Sequence, residues 1–199
     1  MSKKNKKTEE IPEVEGYERE MRTISMLRAN GFALVLMVGL GALLGVPFFM
    51  IWGAGAVGGY GEMLVLLAVI VLGTVVHELI HGVTWMICTH SSFGHLSFGV
   101  LPGGVYCHID KPMTKRYYVI GALMPLLLMG VVPMVAAFFI GSFLWFLSAL
   151  TFIVAAAGDM MIVWAIRKES VDTLVYDHPS EAGCLVYHKV TSKNSTFKS

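Results

Sequence analysis

The chain alternates long apolar runs with short polar stretches, and the runs have the length of membrane-spanning helices. Residues 32–52 hold no charge for 21 positions, enough for one span at about 1.5 Å per residue. Gly39, Gly41 and Gly45 lie along this run, and Pro47 should kink its outer end. A glycine-rich loop follows at 53–61, and residues 62–88 form a second run. Residues 117–158 carry no formal charge over 42 positions, too long for one span and right for two. The turn is expected at Ile140-Gly141-Ser142. That puts a third span near 117–139, with Pro125 and Pro133 inside it, and a fourth near 143–166, closed by Arg167-Lys168. Residues 90–115 read differently. Gly94, Gly99, Pro102, Gly103, Gly104 and Pro112 interrupt them, and Leu96-Ser97-Phe98 and Val105-Tyr106-Cys107-His108 alternate. This pattern suits a short hairpin or re-entrant loop. The expected fold class is an all-α polytopic membrane protein: four transmembrane helices with a short re-entrant or β-hairpin loop after the second.

Charge gives the orientation. All 15 Lys and Arg fall in 1–28, 90–116 and 167–199, and the loops at 53–61 and 141–142 hold none. By the positive-inside rule both termini face the cytoplasm, in a cell (inner) membrane. The chain divides into a cytoplasmic arm at 1–28, a four-helix membrane domain at 29–168 and a cytoplasmic tail at 169–199. The arm opens with polar residues and lacks the early apolar core of a signal peptide. It reads as mobile or interfacial, with a helix at 17–28; the tail reads as polar and short on structure of its own. Composition agrees with the membrane assignment, at 55% hydrophobic and 15% charged, against about 25% charged in soluble domains. A net charge of +1 gives no reason to expect nucleic acid. Cys88, Cys107 and Cys184 match neither C-x-x-C nor a paired framework and read as free thiols.

The second run contains His77-Glu78-Leu79-Ile80-His81, an H-E-x-x-H motif. Residues four apart share a helix face, so His77 and His81 can offer two imidazoles to one Zn²⁺. Glu78 is rotated away from them, where a general base would act on water. A charge inside a span costs about 2.5–3.5 kcal/mol on insertion scales and marks a functional site by default. The bland alternative is a pair of packed histidines beside a protonated Glu78. Catalytic zinc takes three protein ligands, and the third could be Asp159, His95, His108 or His178. Asp159 stands out as the one formally charged residue in the last span. His81 lies seven residues before Cys88, and Asp159 seven before Ile166, so each sits roughly 10 Å from the cytoplasmic end of its run. The small residues at 155–158 would let the two helices approach. His95 and His108 also read as interfacial side chains. Asp177-His178-Pro179-Ser180-Glu181 reads as a turn into a short helix, with Ser180 as its cap, or as a substrate-contacting segment.

The ordered set His77-Glu-Leu-Ile-His-Gly82, Tyr106-Cys107-His108, Gly158-Asp159 and Asp177-His-Pro-Ser-Glu181 resembles the putative zincin peptidase family of bacterial membrane proteins, over roughly 77–187. At longer range the layout is similar to site-2 proteases. Those carry H-E-x-x-H on one span, an aspartate ligand on a later one, and a re-entrant β segment after the zinc helix. Their later motif is usually Leu-Asp-Gly, whereas here it is Gly158-Asp159-Met160. The resemblance implies a zinc metallopeptidase with His77, His81 and Asp159 on Zn²⁺ and Glu78 as catalytic base. It also implies a membrane-protein or peptide substrate in the bilayer. Two other classes compete. A non-catalytic zinc-binding scaffold predicts tight zinc without cleavage. A transporter needs polar residues strung across the membrane, whereas here they gather in one half.

Overall fold

The computed structural model describes residues 11–101, 104–179 and 181–190. Four helices are long and apolar enough to cross a membrane: Met26–Trp52, Tyr60–Thr89, Lys115–Ile140 and Phe143–Ala165. The first two are uninterrupted and are named α1 and α2. Hydroxyls along the bundle satisfy themselves within their own helix. Thr74, Thr84 and Thr151 each donate to the carbonyl four residues back, at 2.6–2.8 Å, so no polar group on these turns needs water. Helix α2 ends where His90 turns left-handed at φ 49° and Ser91 N–H bonds back to the Met86 carbonyl at 3.0 Å.

The third and fourth runs are broken internally. Helix α3 (Lys115–Pro125) passes through one wide π turn (Leu126–Val131) into α4 (Val132–Ile140). The wide turn lies just before Pro133, which has no N–H for the carbonyl four residues back. The last run splits at Ala156 into α5 (Phe143–Ala155) and α6 (Ala157–Ala165). The break makes Asp159 a first-turn residue of a new helix, where the exposed N–H groups and helix dipole favour a carboxylate.

Strands occupy one end of the bundle. Strand β1 (Tyr17–Thr23) precedes α1. After α2 come β2 (Leu96–Leu101) and β3 (Gly104–Ile109), an antiparallel hairpin pairing Leu96 with Ile109 and Phe98 with Cys107. Short β4 (Met113–Thr114) leads into α3, and β5 (Leu174–Asp177) and β6 (Gly183–Lys189) follow α6. These last strands and β1 form a four-stranded sheet in the order β1-β6-β5-β4. β6 is its spine: Thr23 pairs with Gly183, and Leu174 with Tyr187. The sheet is fastened to the helices by a core of Trp85, Ile109, Met113, Tyr118, Ile166, Val175 and Val186. Lys115 Nζ also donates to the carbonyls of Arg167 and Glu169, at 3.1 and 2.6 Å, and so ties the start of α3 to the turn that follows α6.

The four long helices and the hairpin stand where the pattern puts them, but an all-α description omits the four-stranded sheet. The helix expected at 17–28 is instead a strand to Thr23 and then the start of α1, because β6 offers Tyr17–Thr23 a complete antiparallel partner. The tail expected to lack structure supplies β5 and β6, and Cys184–Tyr187 are buried. Among the described residues no helix follows Asp177: His178 N–H bonds to the Gly183 carbonyl at 3.1 Å and closes the connection between the two strands. The expected Ser180 cap, the hairpin tip at Pro102-Gly103 and the outer ends of arm and tail lie outside the described residues.

Candidate metal centre

Helical periodicity places His77 and His81 side by side on α2, with ring centroids 4.8 Å apart and planes at 76°. Both are buried. Across from them the first turn of α6 presents Asp159. Its Oδ2 lies 3.4 Å from His77 Nε2 and 3.5 Å from His81 Nε2. These three residues form the one metal-capable His/Cys/Asp/Glu group among the described residues, with all ligand atoms within 4.8 Å of one another. The separations exceed those of a well-formed N–H···O bond. They match the ligand–ligand edge of about 3.4 Å that a tetrahedral zinc with bonds near 2.1 Å requires. Two imidazoles and one carboxylate are also a donor set that zinc takes, so the residues fit the ion.

The surroundings hold His81 in one tautomer. Its Nδ1 lies 2.9 Å from the Gly121 carbonyl, which can only accept, so Nδ1 carries the proton and Nε2 the lone pair. A Cβ on Gly121 would collide with Trp85 Nε1, so only glycine lets the α3 backbone come close enough to receive that bond. Trp85, one turn on from His81, stacks on it at 5.4 Å and 18°. Trp85 also stacks on Tyr118 at 5.5 Å and donates from Nε1 to the Tyr118 carbonyl at 3.1 Å. His77 has less support: it stacks on Phe152 at 6.5 Å, and its buried Nδ1 has no hydrogen-bond partner among the described residues.

Glu78 points elsewhere, as its position in the helix requires. Its Oε2 accepts a 2.8 Å bond from the Cys107 N–H. An N–H turned to Glu78 is turned away from β2, so this edge of β3 faces the metal group. Gly82 makes that approach possible, because a Cβ there would lie 2.7 Å from Cys107 Sγ and 3.1 Å from Leu96 Cδ1. Burial pushes the Cys107 thiol up to about 12. The three ligand-capable residues and Glu78 open onto a cavity of about 710 Å³. Ile24, Asn30, the 105–107 edge of β3 and the Asp177–Pro179 turn complete its wall.

The other histidines considered as ligands are engaged elsewhere. His95 pairs with Asp110 at 2.7 Å on the surface. His178 Nδ1 accepts from the Glu181 N–H at 2.9 Å. His108 is fully buried, with Nδ1 3.1 Å from Asp177 Oδ2 and Nε2 3.3 Å from the Tyr176 hydroxyl. Asp177 also accepts from the Tyr118 hydroxyl at 3.2 Å. Burial raises the Asp177 carboxyl, and the bond from His108 opposes that rise.

A sequence profile of the family described as "Putative zincin peptidase" matches residues 70–174, more than half of the chain. The protein belongs to this family. Zincin-peptidase membership implies a zinc metallopeptidase with zinc as its metal, and the His77–His81–Asp159 group could bind it. The matched stretch of this zincin peptidase carries the H-E-x-x-H motif, the hairpin and Asp159, and stops at the first residue of β5, short of Asp177. No curated protein and no solved structure matches the chain. Asn30, Tyr118 and Trp85 are neighbours of the centre that the sequence pattern did not single out. Only Trp85 left a signal, four residues after His81 on the same helix face.

Proposed function

We propose that the protein is a zinc-dependent intramembrane metalloprotease, similar to site-2 proteases, that hydrolyses peptide bonds of membrane-associated proteins near the cytoplasmic face. The observation that carries this reading is the meeting of His77, His81 and Asp159 from two separate apolar helices, with Glu78 beside them on a shared cavity. The helices support a bilayer setting through their outward surfaces, where Leu34, Val38, Leu64, Leu67, Val71 and Phe139 are exposed. An apolar surface of this extent is stable against lipid rather than water. The distribution of Lys and Arg supports a cytoplasmic position for the end of the bundle that holds the centre.

The chemistry divides among the residues as follows. His77, His81 and Asp159 would hold the ion, and the Gly121 carbonyl keeps His81 Nε2 available to it. Zinc supplies Lewis acidity, polarising a carbonyl and making water nucleophilic at neutral pH. Glu78, oriented by the Cys107 N–H at Oε2, takes a proton from the attacking water and returns it to the nitrogen of the departing amine. A helical substrate hides its carbonyls and must unwind. The edge of β3 that faces Glu78, which no other strand covers among the described residues, can receive the unwound segment as an added strand beside the Cys107–Glu78 bond and lay its carbonyl near Glu78.

The test compares the membrane proteomes of cells producing wild type or Glu78→Gln. Membrane proteins that accumulate uncut only with Glu78→Gln are expected. Stoichiometric zinc with identical proteomes would instead identify a non-catalytic zinc-binding scaffold.

A further inference from the structure

Asp177 lies beyond the stretch matched to the family, yet its carboxylate connects both halves of the centre. On one side Oδ1 accepts from the Tyr118 hydroxyl at 3.2 Å. The Tyr118 carbonyl receives the Trp85 indole, and Trp85 stacks on both Tyr118 and His81. On the other side Oδ2 lies 3.1 Å from His108 Nδ1. His108 is the neighbour in β3 of Cys107, whose N–H holds Glu78. A carboxylate only accepts, so His108 Nδ1 carries the proton, and Nε2 is left to accept from the Tyr176 hydroxyl 3.3 Å away. His108, Tyr118 and Tyr176 are each no more than 2% exposed. Buried polar groups are costly to leave unpaired, so these hydrogen bonds hold the network together. Asp177 itself is fixed by strand pairing with Cys184.

We infer that Asp177 is a positioning residue for the centre, fixing the His81 ring through Tyr118 and Trp85 and the Glu78 carboxylate through His108 and the Cys107 backbone. The inference rests on the metal-centre reading above. It explains why a carboxylate stands here: two acceptor oxygens serve two donors on different elements. Asparagine can serve one of them and leucine neither.

The experiment adds Co²⁺ to metal-free full-length protein in detergent micelles and records its visible ligand-field spectrum and affinity. Wild type is expected to bind one Co²⁺ and His81→Ala none. Asp177→Leu should bind about 10–100-fold more weakly, as for loss of the groups that orient metal ligands, with a shifted spectrum; Asp177→Asn should fall between. Amide exchange at Cys107 should quicken in Asp177→Leu. Tyr187→Phe removes a different hydrogen bond of the same sheet, the 2.7 Å bond to the Pro12 carbonyl, and should leave spectrum and affinity unchanged. Should Asp177→Leu fail to fold, Tyr118→Phe removes only the hydroxyl and is expected to shift the spectrum in the same direction. Wild-type spectrum and affinity in the folded Asp177 variant, or in Tyr118→Phe where it stands in, would overturn the inference. So would an equal shift in Tyr187→Phe, which would make Asp177 mere support for the sheet. Absence of Co²⁺ binding by wild type would overturn the metal-centre reading itself.

Discussion

The two ends of the helix bundle are held together by different physics. At the end bearing the 53–59 and 141–142 loops, Phe48, Met134, Ala137, Phe146 and Ala149 form an apolar cluster. The rings of Phe48, Phe49, Phe138, Phe143 and Phe146 pack there at centroid distances of 4.9–6.3 Å. Among the described residues, the four buried polar side chains, His77, His81, His108 and His178, all belong to the other end. That end is specified by directional bonds: the Gly121 carbonyl on His81, the Cys107 N–H on Glu78 and Asp177 between Tyr118 and His108. A packed end answers to volume and a bonded end to atom identity, so substitutions at the two should fail in different ways.

The largest expected effect is on turnover. Glu78→Gln keeps the shape of the side chain and its acceptor for the Cys107 N–H but removes the base. It should lower peptide cleavage by about 10²–10⁴-fold with zinc content and thermal stability unchanged, as measured by cleavage assay, metal analysis and thermal melt. Phe48→Ala should do the reverse. Phe48 is fully buried, so the cavity should cost about 3–5 kcal/mol in unfolding measurements, with one zinc still bound per folded chain. Loss of zinc from folded Phe48→Ala would show that the two ends are not independent.

Gly82→Ala sits on the boundary between these behaviours. Its added methyl meets Cys107 Sγ and Leu96 and should push the hairpin off α2, at about 1–3 kcal/mol. Cleavage should fall while zinc stays, because the shift reaches Glu78 through Cys107 but not the ligands. The smallest effect concerns the thiols. Burial raises Cys107 and Cys184 to about 12. A raised thiol pKa means less thiolate, on the order of 10⁻⁴ of each at pH about 8. Iodoacetamide should therefore leave both unmodified in the folded protein and alkylate them once it is denatured, as read by mass spectrometry.

Much of the bonded end was legible in the sequence, and for identifiable reasons. Charge in an apolar run is conspicuous, so Glu78 and Asp159 stood out, and equal depth in two runs was enough to pair His81 with Asp159. The four long helices followed from run length alone. The sheet was not legible from β1, because Tyr17–Thr23 is mostly polar and its partners in β6 lie 160 or more residues away. The β5–β6 hairpin did carry a signal. Leu174-Val175-Tyr176 and Cys184-Leu185-Val186-Tyr187 flank a stretch with Pro179 in it and Gly183 at its end, a pattern that favours two strands over a turn into a helix. The network through Asp177, Tyr118 and His108 was hidden for a different reason. Its members come from β5, α3 and β3, and no spacing rule relates three elements brought together only by the fold.

The central claim is that two separate helices share one metal ion, and metal content tests it most directly. Wild type, His77→Ala, His81→Ala and Asp159→Ala are purified in the same detergent, checked for folding and analysed for zinc. One zinc per wild-type chain and its loss from all three variants is the predicted result. Stoichiometric zinc retained by folded Asp159→Ala would contradict the claim.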